Sequence, residues 1–570
     1  MPIDVNFMVG GEAGQGVQSV GFLLAKAFAR GGYYIFADQD YESRIRGGHN
    51  FFRVRVSDSK VDAIAEPLDM LIALNKETID LHREELVLKG IVLFDGEEIT
   101  NTGGDNQLFS VPVNRMAEEK AGNKLSANTV ALGAALGLVG YDLEILVKVL
   151  RDHFGAGEVA DNNVNAATAG YEYARQNFKG NFAIQLKPIS DVKRMLLTGN
   201  EAVALGVVAA GCKFVAAYPM TPVTSIMEYL VSKADDAGIV VIQPEDEIAA
   251  VNMAIGAGYA GVRAMTATSG GGFSLMVEAL SLSGMTETPV VVILGQRAGP
   301  AIGLPTRTEQ GELEFAVHAG HGEFPRVVLA PATIEDSFRL TIKAFNLAER
   351  YQAPVILLTD HYLATSYSTV DKFDLSGIAV DRGLLFSVPP SQSAYKRYRV
   401  TESGISPRAF PGQEDVLVVA DSDEHDENGH PIEDAKTRVR MMQKRMRKLF
   451  SLGHEIASPK IYGPRRAETT LIGWGSTYGA ICEASDILRK EGRDINTFHL
   501  NELWPFPDER VSAVLDSARK SYVIENNATG QLSRLIRAET GRKVSGKILK
   551  CDGRPFTPAD IAREIRKAGC

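Results

Sequence analysis

Ile239-Val-Val-Ile-Gln-Pro-Glu-Asp-Glu247, then Ile248-Ala-Ala-Val-Asn-Met-Ala-Ile-Gly-Ala-Gly-Tyr259, then Ala264-Met-Thr-Ala-Thr-Ser-Gly-Gly-Gly272 is the stretch that decides the fold. A β-branched run ends in an acidic turn, a helical pattern follows, and a second apolar run ends in a glycine turn, which is the grammar of a parallel β-α-β crossover. The neighbouring sequence repeats it. Phe214-Val-Ala-Ala-Tyr218 runs into Pro-Met-Thr-Pro-Val-Thr-Ser225, and Val290-Val-Val-Ile-Leu294 runs into Gly-Gln-Arg297. Further strands are expected at Arg326–Ala330 and Val355–Thr359, with helices at Phe273–Leu282 and Ile334–Ala348, so a parallel sheet fills residues 191–380. Ligands bind outside the carboxyl ends of such a sheet, where the strand tails bring a carboxylate, a guanidinium, hydroxyls and a glycine turn together. These tails look like half of an active site.

Outward from this core the same alternation continues. Residues 1–190 open with Val5-Asn-Phe-Met-Val9, the turn Gly10-Gly-Glu-Ala-Gly-Gln-Gly16 and an amphipathic run through Arg30, the way a doubly wound domain starts. Runs at Met70–Leu74 and Gly90–Phe94 and a helical pattern over Asn128–Val139 continue one α/β sheet, and the polar stretch Gln176–Asn181 places a boundary near residue 190. Residues 381–465 combine an acidic run, Asp421–Glu427, with a basic one, Lys444-Arg-Met-Arg-Lys448, and read as an irregular connecting arm bearing a solvated charged helix. Residues 466–570 resume strand, turn and helix at Thr470–Trp474, Gly475–Gly479 and Ala480–Arg489. At 570 residues the chain is too long for one core and reads as a multidomain α/β protein.

Composition narrows the function. A formal net charge of −10 argues against a general nucleic-acid binder. Cys212, Cys482, Cys551 and Cys570 lie too far apart for a disulfide framework or an iron–sulfur or zinc site, so any redox metal belongs on another chain. The amino terminus lacks the basic and apolar regions of a signal peptide, and no apolar run reaches the roughly 20 residues of a membrane span. A cytoplasmic protein without membrane contact is expected.

Among candidate site residues, Glu247 begins a long apolar helical pattern. An acid there is favoured by the helix dipole alone, but Ile248, Ala249, Ala250, Val251 and Ala254 predict burial behind it, where a carboxyl can share a proton with a ring nitrogen. Arg297 should sit at the ligand edge with little solvent, which leaves either a structural ion pair or a carboxylate ligand. Thr221, between Pro219 and Pro222, is a turn residue that reaches a bound carboxylate only if the turn faces Arg297. Thr306 and Arg307, in Gly303-Leu-Pro-Thr-Arg-Thr-Glu-Gln310, extend that idea, although such a loop is often just mobile. Ser269 and Gly270 open a helix whose free N–H groups can meet an anion. Gly11-Glu-Ala-Gly-Gln-Gly16 is not the dinucleotide spacing, so NAD is unsupported; Arg44-Ile-Arg-Gly-Gly-His-Asn50 is a candidate phosphate contact. His425 and His430 lie among acids without ligand spacing, and no metal site is assigned to them.

The order Tyr218-Pro-Met-Thr-Pro222, Glu245-Asp-Glu-Ile-Ala-Ala250, Thr266-Ala-Thr-Ser-Gly-Gly-Gly-Phe-Ser-Leu275 and Gln296-Arg-Ala-Gly-Pro300 resembles the alpha subunit of the 2-oxoacid:ferredoxin oxidoreductases. Residues 1–190 look like the family's gamma domain fused ahead of it, 191–380 like a thiamine-enzyme pyrimidine-binding domain, and 466–570, with Gly473-Trp-Gly-Ser-Thr477 and Leu503-Trp-Pro-Phe-Pro507, like a transketolase carboxyl-terminal domain. Met220 stands where the family more often has Ile, and Val223-Thr224 where two serines are common.

The resemblance implies CoA-dependent oxidative decarboxylation of a 2-oxoacid on thiamine diphosphate, with electrons passed to ferredoxin. It places Glu247, Tyr218, Pro219, Ser269 and Gly270 at the cofactor, Thr221, Arg297 and Thr306 at the substrate, and Gly14, Gly16, Arg44, Arg46 and Gly47 at CoA. The family's Gly-Asp-Gly diphosphate motif and cluster cysteines do not occur here, so Mg2+ and a [4Fe-4S] cluster are expected on a beta subunit, in a dimer of alpha-beta heterodimers. Fused chains of this type commonly prefer 2-oxoglutarate; pyruvate or a broad range of 2-oxoacids remains open. A non-oxidative thiamine transferase and a non-catalytic acyl-CoA-binding scaffold are the competing readings.

Overall fold

The apolar runs around Glu247 become strands, and the helical periods between them become helices. The computed structural model describes residues 2–43, 47–100, 107–180, 182–387 and 395–569. These divide into two units by internal contact: Met1–Leu197 with Thr365–Phe373 and Thr557–Ala559, and Thr198–Ala364 with Asp374–Phe556 and Asp560–Cys570.

In the second unit a seven-stranded sheet runs Glu502–Trp504, Val327–Leu329, Pro354–Asp360, Val290–Gln296, Ala264–Thr268, Phe214–Ala216, Val240–Ile242. Every pairing is parallel except that of Glu502–Trp504 with Val327–Leu329. The central strands Ala264–Thr268 and Val290–Gln296 are buried along their whole length, which is why they read as unbroken apolar runs rather than alternating ones. A five-stranded sheet, in the order Lys460–Tyr462, Ile495–Leu500, Thr469–Trp474, Lys520–Glu525, Gly546–Leu549, completes the unit. One apolar core joins the two sheets, from Val292, Leu294 and Ile356 to Ile472, Trp474, Phe498 and Leu532. At about 1.5–3 kcal/mol for each large side chain buried, that shared core fixes the carboxyl-terminal segment against the ligand edge of the first sheet.

The charged helix of the arm departs from expectation. Ala435–Glu455 is not a solvated helix: Lys444, Arg445 and Lys448 are buried. Lys444 Nζ lies 2.5 Å from Glu287 Oε1 and Lys448 Nζ 2.5 Å from Glu287 Oε2. Burial alone would raise the Glu287 carboxyl, but the two ammonium groups and Arg397 hold it far below the ordinary range. His425 is likewise a packed side chain, its Nδ1 3.0 Å from the Asp423 carbonyl and its ring 4.0 Å from that of Tyr398.

The first unit holds a mixed eight-stranded sheet in the order Gln107–Ser110, Leu86–Phe94, Leu68–Ala73, Asp4–Ala13, Gly47–Ser57, Tyr34–Asp40, Tyr367–Val370, Met195–Thr198. Its first four strands pair in parallel, whereas Gly47–Ser57 pairs antiparallel with both Asp4–Ala13 and Tyr34–Asp40. No helix in the described residues is long and apolar enough to cross a membrane.

Candidate active site

Glu247 is the first residue of the helix Glu247–Tyr259, and Asp246 caps it by accepting the Ala249 N–H at 2.8 Å. The helix dipole favours an acid in this first turn; Ala250, Val251 and Ala254 are buried as expected, Ile248 and Met253 instead face outward, and Glu247 itself is only 4% exposed. Its Oε1 is enclosed and accepts no hydrogen bond. Leaving a buried acceptor unmet costs about 1–3 kcal/mol, which a ligand with a donor would recover. The carboxyl packs this close to the next helix because residue 272 is glycine: a Cβ there would stand 2.1 Å from Thr268 Oγ1 and 2.5 Å from Glu247 Oε1.

Gly272 belongs to the first turn of Gly270–Met285, a helix whose N-cap, Ser269, makes no side-chain capping bond. Ser269 Oγ is buried without a partner. The preceding strand, Ala264–Thr268, ends against the turn that carries Tyr218, Pro219 and Thr221, with Thr268 Oγ1 directed at Met220 Sδ at 3.8 Å. Tyr218 is 38% exposed on that turn.

Arg297 follows the strand Val290–Gln296 and donates through Nη1 to the Thr221 carbonyl at 3.0 Å. The backbone of Thr221, not its hydroxyl, makes this contact. Burial presses the guanidinium below the usual arginine range, with Glu312 opposing the shift. Thr306 and Arg307 return to the same edge because the loop after Arg297 folds back, pairing Ala298 with Leu304 and bonding the Ala298 N–H to the Arg307 carbonyl at 3.3 Å. The reversal needs Gly303, whose φ is +53° and where a Cβ would meet the Ala298 carbonyl at 1.9 Å. His361 feels both guanidiniums; burial first, then Arg307 and Arg297, lowers it to about 4.

The end of this loop is pinned. Gln310 is fully buried, donates to the Trp474 carbonyl at 2.9 Å, and exchanges backbone and side-chain bonds with Asn526. Asn527 Nδ2 donates to the Gln310 carbonyl at 3.0 Å, and Gln531 Nε2 to that of Gly311 at 2.6 Å. The carboxyl-terminal segment thereby forms one wall of an open cavity of about 440 Å³ lined by Ser269, Gly270, Ser274, Arg297, Glu309, Glu312 and Asn527. Glu309, Glu312 and Asn527 were not among the residues expected from sequence. Glu309 and Gln310 stand in the quoted loop, but nothing local marks them; Asn527 follows a strand end, the one signal that could have singled it out.

In the first unit, Gly14 and Gly16 have φ of +97° and +72°, and Gly47 +71°. Register brings them to one edge, since Ala13 pairs with Gly47. A Cβ on Gly14 or Gly47 would meet nothing within 4 Å, whereas one on Gly16 would meet Asn128 Nδ2 at 2.3 Å. Arg44 and Arg46 lie outside the described residues. Among the described residues no group of three or more His, Cys, Asp or Glu side chains is placed to hold a metal ion.

Comparison with known proteins points to one family. Residues 205–444 match the model of the pyruvate flavodoxin/ferredoxin oxidoreductase thiamine diphosphate-binding domain, residues 6–173 that of pyruvate ferredoxin/flavodoxin oxidoreductase, and residues 467–561 that of pyruvate:ferredoxin oxidoreductase core domain II. A 2-oxoacid:ferredoxin oxidoreductase subunit alpha from a Sulfolobus species is 35% identical over 99% of this chain and 96% of its own length. The chain belongs to the alpha subunits of the 2-oxoacid:ferredoxin oxidoreductases. Within that family, the 2-oxoglutarate oxidoreductase subunit KorA of Mycobacterium tuberculosis is 30% identical over 98% of this chain and 90% of its own. The 2-oxoglutarate:ferredoxin oxidoreductase of Magnetococcus marinus, solved with 2-oxoglutarate, coenzyme A and succinyl-CoA bound, superposes with a TM-score of 0.93 at 34% identity, covering 99% of both chains. This alpha subunit thus carries a thiamine diphosphate-binding domain, and Glu247 and Arg297 both fall within the residues that match it.

Proposed function

We propose that the chain provides the pyrimidine and substrate side of an enzyme that converts a 2-oxoacid and CoA to an acyl-CoA and CO2, passing two electrons to ferredoxin. The observation that carries this reading is the Glu247 carboxyl, enclosed at a helix start with Oε1 unmet and packed close against the backbone of Gly272. These residues fit the aminopyrimidine of thiamine diphosphate, which offers a ring nitrogen to a buried acid. When bound, the cofactor supplies the electron sink that makes loss of CO2 feasible.

Glu247 would hold the proton at that ring nitrogen, with Ser269, Gly270, Tyr218 and Pro219 bounding the ring. Arg297 would take the substrate carboxylate, Thr221 fixing the guanidinium through its carbonyl and Thr306 lying beside the substrate carbonyl. Gly14, Gly16 and Gly47, with Arg44 and Arg46, are the candidates for CoA contact. A beta subunit would supply the Mg-diphosphate site and a [4Fe-4S] cluster, in a dimer of alpha-beta heterodimers. The bound 2-oxoglutarate of the Magnetococcus marinus enzyme makes 2-oxoglutarate the first substrate to try.

The test is Glu247→Gln in the complex reconstituted with its beta subunit. Gln cannot pass a proton to the ring, so kcat should fall by about 10²–10⁴ while the complex still assembles. Unchanged turnover would remove Glu247 from the role.

A further inference from the structure

We propose that Glu312 is a positioning residue of the oxoacid pocket, its enclosed carboxyl setting, through Arg297, how strongly that guanidinium takes the substrate's carboxylate. This rests on the pocket being the oxoacid site. Glu312 precedes the helix Leu313–His318 and is held by its N–H, which donates to the buried Gln296 Oε1 at 3.0 Å. Gln296 in turn donates to the Thr359 carbonyl at 3.1 Å, so the residue before Arg297 fixes the backbone that presents Glu312. Oε1 fills the space that glycine leaves at 270, where a Cβ would stand 2.5 Å away. Oε2 is enclosed and has no partner. The carboxyl forms part of the wall of the same 440 Å³ cavity as Arg297 and the unpartnered Ser269 hydroxyl.

The charged groups facing it are few. Glu309 comes from its own loop, held by the Gly299 N–H at 3.1 Å, and Arg297 comes from the strand end. The first turn of Gly270–Met285 and the segment 526–531 pack on the cavity with no charged side chain between them. Burial first, then the Glu309 charge, raises Glu312 to about 8, with Arg297 opposing.

A neutral acid donates one hydrogen bond and can still accept others, whereas a carboxylate only accepts. With Glu312 protonated, the guanidinium meets an incoming oxoacid anion with its charge intact. Once Glu312 ionises, an anion stands in the pocket against that substrate and offsets Arg297. The sign follows: capture of the oxoacid is strong below about pH 8 and weakens as pH rises through it.

The experiment compares wild type, Glu312→Gln, Glu312→Ala and, as control, Arg297→Ala in the reconstituted complex, reading KM for 2-oxoglutarate and for pyruvate against KM for CoA across pH. Wild type should show an oxoacid KM rising about tenfold per pH unit above the Glu312 transition, with KM for CoA level. Glu312→Gln, which mimics the neutral acid, should keep the neutral-pH KM within about threefold and abolish the alkaline rise. Glu312→Ala should raise the oxoacid KM at neutral pH. Persistence of the alkaline rise in Glu312→Gln, or a neutral-pH loss as large as that of Arg297→Ala, overturns the proposal. A readout independent of turnover is the infrared difference between wild-type and Glu312→Gln full chain. A carboxylic-acid carbonyl band should be present at pH 7 and vanish above about pH 8, and its absence at pH 7 overturns the proposal. A complex that keeps the band yet turns over no 2-oxoacid refutes the assigned pocket, and the proposal with it, while leaving the protonation state established.

Discussion

Residue 272 controls the setting of the Glu247 carboxyl by what it lacks. A methyl group there would press on both Thr268 and the Glu247 carboxylate, and neither can retreat, since Thr268 is fully buried in a central strand and Glu247 is anchored at a helix start. Gly272→Ala should therefore displace the carboxylate by a fraction of an ångström to an ångström, enough to lower kcat by about 10²-fold. Secondary structure by circular dichroism should persist. The control is Gly256→Ala, in the exposed middle of the helix that Glu247 begins, where a Cβ meets nothing within 4 Å. It removes a flexible residue from a helix interior and should stabilise by about 0.5–1 kcal/mol with turnover unchanged. Equal loss of activity in both variants would show that helix rigidity, not the space at 272, governs the site.

At the scale of elements, the arm helix Ala435–Glu455 is tied to Glu287 through Lys444 and Lys448, across 157 positions in the first of these pairs. Glu287→Ala leaves two ammonium groups buried without their counter-ion, and a broken buried pair typically costs about 3–5 kcal/mol. Thermal unfolding should show a matching fall in Tm. An unaltered Tm would mean that water reaches the lysines. This helix also shows where reading the sequence stops. Lys444, Arg445 and Lys448 share a face at helical spacing, but a basic face and a buried one look alike until the distant acid that meets it is known. The central strands were legible because both faces are apolar, and Glu247 and Arg297 because each closes a strand-to-helix or strand-to-loop transition. Glu312 was not: it lies beyond the Gly303 reversal, and only the fold-back onto Ala298 and the Gln296 bond bring it to the pocket. Likewise, Asn527 reaches the site through Gln310, a contact between residues 217 apart in sequence.

At the scale of the whole molecule, the proposed function divides one cofactor between two chains. The cavity beside Ser269 and Gly270 offers one guanidinium, Arg297, and two carboxyls, Glu309 and Glu312, a poor balance for a group carrying several negative charges. Among the described residues no cluster of acids or cysteines stands ready for a cation, and Cys212, Cys482 and Cys551 form no disulfide with one another. A second subunit that brings the magnesium site would complete one cofactor pocket from two chains and make turnover wholly dependent on assembly. The purified chain alone should bind thiamine diphosphate weakly, show no absorption from an iron–sulfur cluster, and reduce no ferredoxin with a 2-oxoacid and CoA. Adding the beta subunit should restore all three properties, with activity rising in proportion to complex formed on a sizing column. Full turnover by the isolated chain would refute the division of the site, and an active complex lacking the iron–sulfur spectrum would refute the assigned electron path while leaving the Glu247 side in place.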